Sequence, residues 1–276
     1  VMRRNRMGVT GTGAHVLNRD SVAMNPAATE HERDQHTASW LAVVRGAAYL
    51  SAGTLVATTV LYLLDATNVL DTAPTFRRSG RGPLVDEATF FAAFFNHQHA
   101  LWWDIALRDV LGPVAFLSLA CLGLGLANLW GSRRPSMQLT VALLSFGAVF
   151  SAINSLLYLG ELNYWRYGGW TATPAEGMQA IGRSAESIDH LTQYPEAFGF
   201  TLVAIALIVL TRAGRAHLNL ATAALGYAAG ACLLGLVACA VGNLDTGYDL
   251  FAFAAGIVVG PAFLIVLAGT MRPRSG

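Results

Sequence analysis

His97, His99 and His190, with Asp104, Asp189, Glu161 and Glu196, are the side chains in this sequence whose types could do chemistry together. Imidazole and carboxylate ligands suit zinc or iron, and imidazole also ligates haem. A metal or haem site at His97, His99 and His190 is therefore one expectation, with the cofactor itself left unknown. The spacing works against it. Two residues apart, His97 and His99 point about 200° from each other on a helix and converge only on an extended chain. No H-E-x-x-H, no Glu-x-x-His and no second His-x-His accompanies them.

A second constellation is ionic. Asp104 and Arg108 stand four apart and can pair on one helix face. In one reading they are a salt-linked helix end exposed among lipid headgroups. In the other, Arg108 turns inward to Glu196 or Glu161, because ionisable groups at membrane depth face the bundle and find partners. Asp104, Arg108, Glu161 and Glu196 are thus the candidate ligand or ion-pair residues. Glu196 follows Pro195, a good first-turn position, and sits about 24 Å above Arg212 if the intervening residues are helical.

Other reactive patterns are absent or misplaced. Cys121, Cys232 and Cys239 fall in apolar stretches without a C-x-x-C pair, and read as small packing residues. No Gly-x-Ser-x-Gly or P-loop occurs, and the string Gly8-x-x-Gly11-x-Gly13 lacks the preceding strand that a dinucleotide site requires.

The elements that must carry these residues are read from composition. Of 276 residues, 54% are hydrophobic and only 13% are charged, and mean hydropathy is +0.46. A soluble domain carries about 25% charged residues, so the chain lacks the polar surface to cover a water-soluble body. Net charge of +1 excludes a strongly basic nucleic-acid binder. All 18 positive charges are arginine, which reads as the codon bias of a GC-rich bacterial genome. The expected location is then a bacterial inner membrane, with the lipid bilayer as the first partner.

Six apolar stretches approach the roughly 20 residues that a spanning helix needs: 40–64, 101–129, 138–159, 195–210, 218–242 and 250–271. The predicted fold is all-α, a polytopic bundle of six transmembrane helices. Short loops rich in arginine tend to stay cytoplasmic. Arg133 and Arg134, Arg212 and Arg215, and Arg272 and Arg274 alternate with an arginine-free turn at Asn243–Asp249, so both termini are expected in the cytoplasm. Trp40 and Trp130 are expected at the inner interface and Trp102, Trp103, Trp165 and Trp170 at the outer one.

Residues 1–38 read as a disordered cytoplasmic tail and 39–272 as the transmembrane domain. The chain opens on Val1, with Met7 and Met24 following, so a downstream translation start stays open and the first span is expected to act as an uncleaved signal anchor. The long outer loop at 65–99 holds acids at Asp86 and Glu87 followed by four phenylalanines, a pattern that suits a short helix lying on the membrane surface.

Helix contact in lipid depends on close backbone approach. Gly226-x-x-x-Gly230 and Gly256-x-x-x-Gly260 predict that spans five and six pack on each other, or that one of these faces joins two copies in a homo-oligomer or meets another membrane protein. Thr54, Thr58 and Thr59, with Ser151, Asn154 and Ser155, are expected to face other helices. Pro113 and Pro261 each follow a glycine inside a span and are expected to kink it.

An opening span beginning Arg45-Gly-Ala-Ala-Tyr-Leu, a long outer loop with a short aromatic helix and a final pair of glycine-rich spans resembles bacterial six-helix membrane proteins of the domain-of-unknown-function type. That resemblance implies a fold and carries no activity. Three functional expectations follow. The first is a non-enzymatic accessory, sensor or assembly protein with a polar outer vestibule. The second is a small solute or proton-coupled transporter using Arg108 and Glu196, which requires a polar cavity continuing past Asn154 toward the cytoplasm. The third is a metal- or haem-dependent membrane enzyme or redox subunit, which requires the three histidines to meet.

Overall fold

The computed structural model describes residues 26–71, 78–79, 82–83, 87–166, 173–242 and 244–271. The chain divides into two compact units, Val1–His36 and Thr37–Gly276. The first is helical from Pro26, inside the stretch assigned above to the tail, and residues 1–25 lie outside the described residues.

Eight α-helices are described: α1 (Pro26–Ala66), α2 (Glu87–Ala100), α3 (Trp102–Trp130), α4 (Pro135–Arg166), α5 (Ala175–Ala213), α6 (Leu220–Val241), α7 (Asp245–Phe253) and α8 (Gly260–Thr270). A π-helical stretch, Ala254–Val259, joins α7 to α8. Among the described residues, six helical segments are long and apolar enough to cross a membrane: Asp34–Ala66, Trp102–Trp130, Pro135–Gly160, Tyr194–Ala213, Leu220–Val241 and Asp245–Thr270. The all-α, six-span expectation holds. Its last turn is shorter than expected, because Asp245–Asp249 are already helical. Between α1 and α2, Arg78–Ser79 pairs antiparallel with Gly82–Pro83.

The spans close into a ring. Consecutive packing runs from α3 to α4, α4 to α5, α5 to α6, and α6 to α7, the π-helical stretch and α8. On α1, Ser51 donates its hydroxyl to the Ala115 carbonyl of α3 at 3.1 Å. The same helix reaches α8 from its other side, where Arg45 donates to the Met271 carbonyl at 2.7 Å. Outward faces stay apolar: Leu50, Leu117, Phe146, Ile205, Leu234 and Ile265 are all exposed, as lipid demands and water would not tolerate over so large an area.

The two ends of the ring differ. At one end, φ of +115° at Gly131 turns the chain out of α3, a conformation that favours glycine, and Pro135 opens α4 where its missing N–H costs nothing. Trp130 is buried there, its ring stacked on His217 with centroids 5.3 Å apart. At that level Trp130 packs into the protein, because Gly214 leaves a flat space that the indole fills. Leu122, Leu126, Leu144, Leu210 and Leu267, all fully buried, fill the ring above this end.

Asn219 starts α6 by accepting from both the Thr222 N–H and the Thr222 hydroxyl, each at 2.8 Å. Asn219→Ala is expected to cost about 1 kcal/mol, read as a lower melting temperature in detergent. Asn219→Ser, which keeps an acceptor at the cap, should restore most of the loss; equal stability of all three proteins would show the cap to be idle.

At the other end lies α2, expected on the membrane surface and found packed on protein. Phe91 and Phe95 are buried against Met178 and Ala185 of α5. The reason is length: the 39 residues of α5 span about 58 Å, against a hydrocarbon core of about 30 Å. The first half of α5 therefore projects beyond the bilayer and offers α2 an apolar wall. Gly182 lies directly under the Phe91 ring, where a side chain would collide.

The glycine faces are taken up within the chain. Gly226 meets Thr211 of α5 and Phe263 of α8, and Gly230 meets Ile208 of α5. Gly256 rests on Thr59 of α1, and Gly260 lies against the Ala255 carbonyl one π-turn earlier. Spans five and six do touch, but the Gly226–Gly230 face serves α5 as much as α8. Pro261 follows the π-helical stretch: its ring cannot accept a regular α-turn ahead of it, and the Gly260 N–H bonds five residues back to Ala255.

Candidate vestibule at the α2 end

A cavity of about 940 Å³ occupies the α2 half of the ring. Its wall on α3 is a helical stripe, Ile105, Arg108, Asp109, Gly112, Phe116 and Leu119, spaced so that all face one way. From α1 come Thr58, Thr59 and Tyr62, from α4 Ser151, Asn154, Ser155 and Tyr158, and from α5 Glu196 and Phe200. The hydroxyl and amide groups expected to face other helices thus face a shared space. Thr54 is the exception, bonding back to its own helix at the Leu50 carbonyl, 2.8 Å away.

The cavity is layered. Phe90, Phe91 and Phe94 of α2 and Arg183 of α5 roof it. Charged and tyrosine side chains form the next layer, the short polar groups lie below, and Leu119, Leu207, Phe263 and Leu264 make the floor. Beneath the floor, the packed leucine core continues along α3 from Leu119 to Trp130, about 16 Å of helix. The polar passage required by the transporter expectation is closed in this conformation. A smaller pocket of about 240 Å³ shares Tyr158, Glu196, Phe200, Leu236 and Tyr248 with the large one.

An ionic network braces one side of the vestibule. Arg108 reaches Asp65 at the end of α1 at 3.4 Å and Asp104 one turn earlier at 3.6 Å. The i, i+4 pair exists as expected, but the exposed helix-end reading is corrected: Asp104 is fully buried and Arg108 is 19% exposed. Asp65 also faces His97 Nε2 at 3.5 Å, and His97 Nδ1 lies 3.1 Å from Asp71. Both imidazole nitrogens thus point at carboxylates, which holds α2 to the end of α1. Where sequence reasoning sent Arg108 to Glu196 or Glu161, these ion pairs go to Asp65 and Asp104, because the last turn of α1 delivers a carboxylate directly beside α3.

His97 is buried and His99 exposed, as their helical placement on α2 requires. The structure does not bring them together. Side chains of His190 and Glu161, like those of Trp165 and Trp170, lie outside the described residues. Among the described residues, no group of three His, Cys, Asp or Glu side chains is arranged to hold a metal ion.

Sequence reasoning missed Asp65, Asp71, Tyr62 and Asp249. Tyr62 donates to Asp249 at 2.6 Å and ties α1 to α7, with the Tyr62 ring edge-on to Tyr248 at 5.8 Å. The available signal was position: Asp65 and Asp249 both stand at the ends of apolar blocks at the same level as Arg108. Also missed was Asp109. Its Oδ2, the Asn154 Oδ1 and the Thr58 Oγ1 are buried without a hydrogen-bond partner among the described residues, and all three residues line the cavity.

No family model, curated protein or solved structure matches the chain. Its class rests on the fold itself: six apolar helices with lipid-compatible outer faces make this a multi-pass integral membrane protein.

Proposed function

We propose that this chain is a non-enzymatic accessory or sensor protein of a bacterial inner membrane that binds a small molecule in the vestibule, with both termini cytoplasmic and the α2 end facing outward. One observation carries the reading: a large cavity whose lining includes Thr58, Asp109 and Asn154, each with a buried oxygen that has no hydrogen-bond partner among the described residues, and which is closed below by apolar packing. Buried polar groups without partners cost about 1–3 kcal/mol each, and a ligand or trapped water at the vestibule would offset that cost. The volume falls within the range of ordinary small-molecule sites. A blind floor suits capture better than passage.

Gly112 supplies the test. It lies on the cavity stripe of α3, and a β-carbon added there meets nothing within 4 Å. Gly112→Leu is expected to fold normally, helped by leucine's higher helix propensity, and to fill the vestibule. Native mass spectrometry of wild-type protein extracted from its membrane should show a bound small molecule that Gly112→Leu loses. In sealed liposomes the wild type should carry no solute-dependent proton flux; a flux that Glu196→Gln abolishes without loss of fold would replace this reading with the transporter.

A further inference from the structure

We propose that the vestibule selects an organic ammonium ion attached to an apolar body, a reading that rests on the small-molecule function above and names its ligand class. Three features converge on that chemistry.

The first is hydrogen-bond character. Asp109 Oδ2, Asn154 Oδ1 and Thr58 Oγ1 are contributed by three different helices, and none has a hydrogen-bond partner among the described residues. Asn154 is more than nine-tenths buried, at 7% exposure. A carboxylate and an amide oxygen accept hydrogen bonds and cannot donate them, and a hydroxyl can accept as well. The complementary ligand therefore brings N–H or O–H donors, and beside a carboxylate the strongest such donor is a charged ammonium.

The second is charge. Asp109 lines the cavity, and Asp249 stands just behind Tyr62. Arg108 is the arginine at their level, and it already faces the two carboxylates of Asp65 and Asp104. Arg183 sits higher, in the exposed part of the roof. Among the described residues, acid exceeds base around the middle of the vestibule. A cationic ligand corrects that imbalance, whereas an anion would enlarge it.

The third is the lining above and below. Tyr62, Tyr158 and Tyr248 surround the acidic level with ring systems whose faces attract cations. Below them, Phe200, Val203 and Leu207 lead to the apolar floor, which can receive hydrocarbon but offers nothing to a second charge. An ion with one polar head and an apolar remainder matches this order of layers. A polyamine with charges at both ends does not.

Three probes of equal chain length separate the possibilities: octylammonium, octanol and octanoate, titrated calorimetrically into full-length protein in nanodiscs, with Gly112→Leu nanodiscs as the baseline for partition into lipid. Saturable binding of octylammonium above that baseline is expected, at least tenfold tighter than octanol and with no binding of octanoate. Asp109→Asn should weaken octylammonium at least tenfold and leave octanol unchanged. Should Asp109→Asn not fold, the wild-type ranking of the three probes decides by itself. Equal binding of all three, abolished by Gly112→Leu, would overturn the ammonium assignment and keep the small-molecule reading. The ammonium assignment falls in the same way if none binds but a molecule co-purifies with wild type and not with Gly112→Leu. If no probe exceeds baseline and nothing co-purifies, both fall.

Discussion

Arg108→Met is expected to destabilise the protein by about 3–5 kcal/mol, the cost of removing one partner from a buried ionic cluster. The substitution keeps an unbranched apolar stem in place of the arginine's methylenes, so the packing of the stem changes little while the guanidinium is removed. What changes is charge. Asp104 has no exposed surface and neither of its oxygens has a hydrogen-bond partner among the described residues, so Arg108 supplies the positive charge that offsets its carboxylate. Asp65 loses the same partner and, among the described residues, keeps His97. Thermal unfolding in detergent should show the loss, and the double variant Arg108→Met with Asp104→Asn should recover a large part of it, because the uncompensated buried charge is gone. Arg108→Lys should lie between, since a single ammonium cannot present the guanidinium's separate N–H groups to Asp65 and Asp104 at once. If Arg108→Met melts with the wild type, the cluster contributes no stability and the bracing role assigned to it is wrong.

Gly226→Leu should have the next largest effect, about 1–3 kcal/mol and above the upper end if the helices cannot separate. Even a β-carbon at Gly226 would collide with the Thr211 hydroxyl and with the Phe263 ring. Thr211 is fully buried and Phe263 nearly so, so neither can swing out of the way. Gly46 is the control, with nothing within 4 Å of its added carbon; Gly46→Leu should be neutral or slightly stabilising by helix propensity. Comparing the melting temperatures of the two variants separates close packing from glycine content as such. Equal melting temperatures would mean that α5, α6 and α8 do not meet at Gly226.

Legibility differs between the bundle and the vestibule for a physical reason. Spans are local: about 20 apolar residues in sequence are enough to mark one, and each expected block reappears inside a helix, although α1 and α5 begin well before theirs, at Pro26 and Ala175. Polar residues inside spans were also legible as inward-facing, since lipid penalises the alternative. Thr58, Thr59, Ser151, Asn154 and Ser155 follow that logic into the cavity. Partner choice was not legible. Arg108 had several acids within plausible depth, and only the meeting of α1 with α3 selects Asp65. The close approach of α4 and α5 at Gly147 and Gly199 went unnoticed for the same reason, because two single glycines on different helices make no pattern in one dimension. α2 shows how an amphipathic reading goes astray: four phenylalanines indicate an apolar surface to cover, and lipid and protein cover it equally well by composition.

The sequence by itself determined that this chain crosses a membrane, how many times, and which polar residues must turn inward, because hydrocarbon imposes those choices on each segment separately. Only the tertiary structure decided that the inward faces stay apart at the α2 end and close at the other. Side-chain volume sets that difference: leucines from facing helices interlock below Leu119, while small and polar residues above it leave about 940 Å³ unfilled. Whether facing side chains fill the space between helices depends on the sum over all six, and no single span carries it.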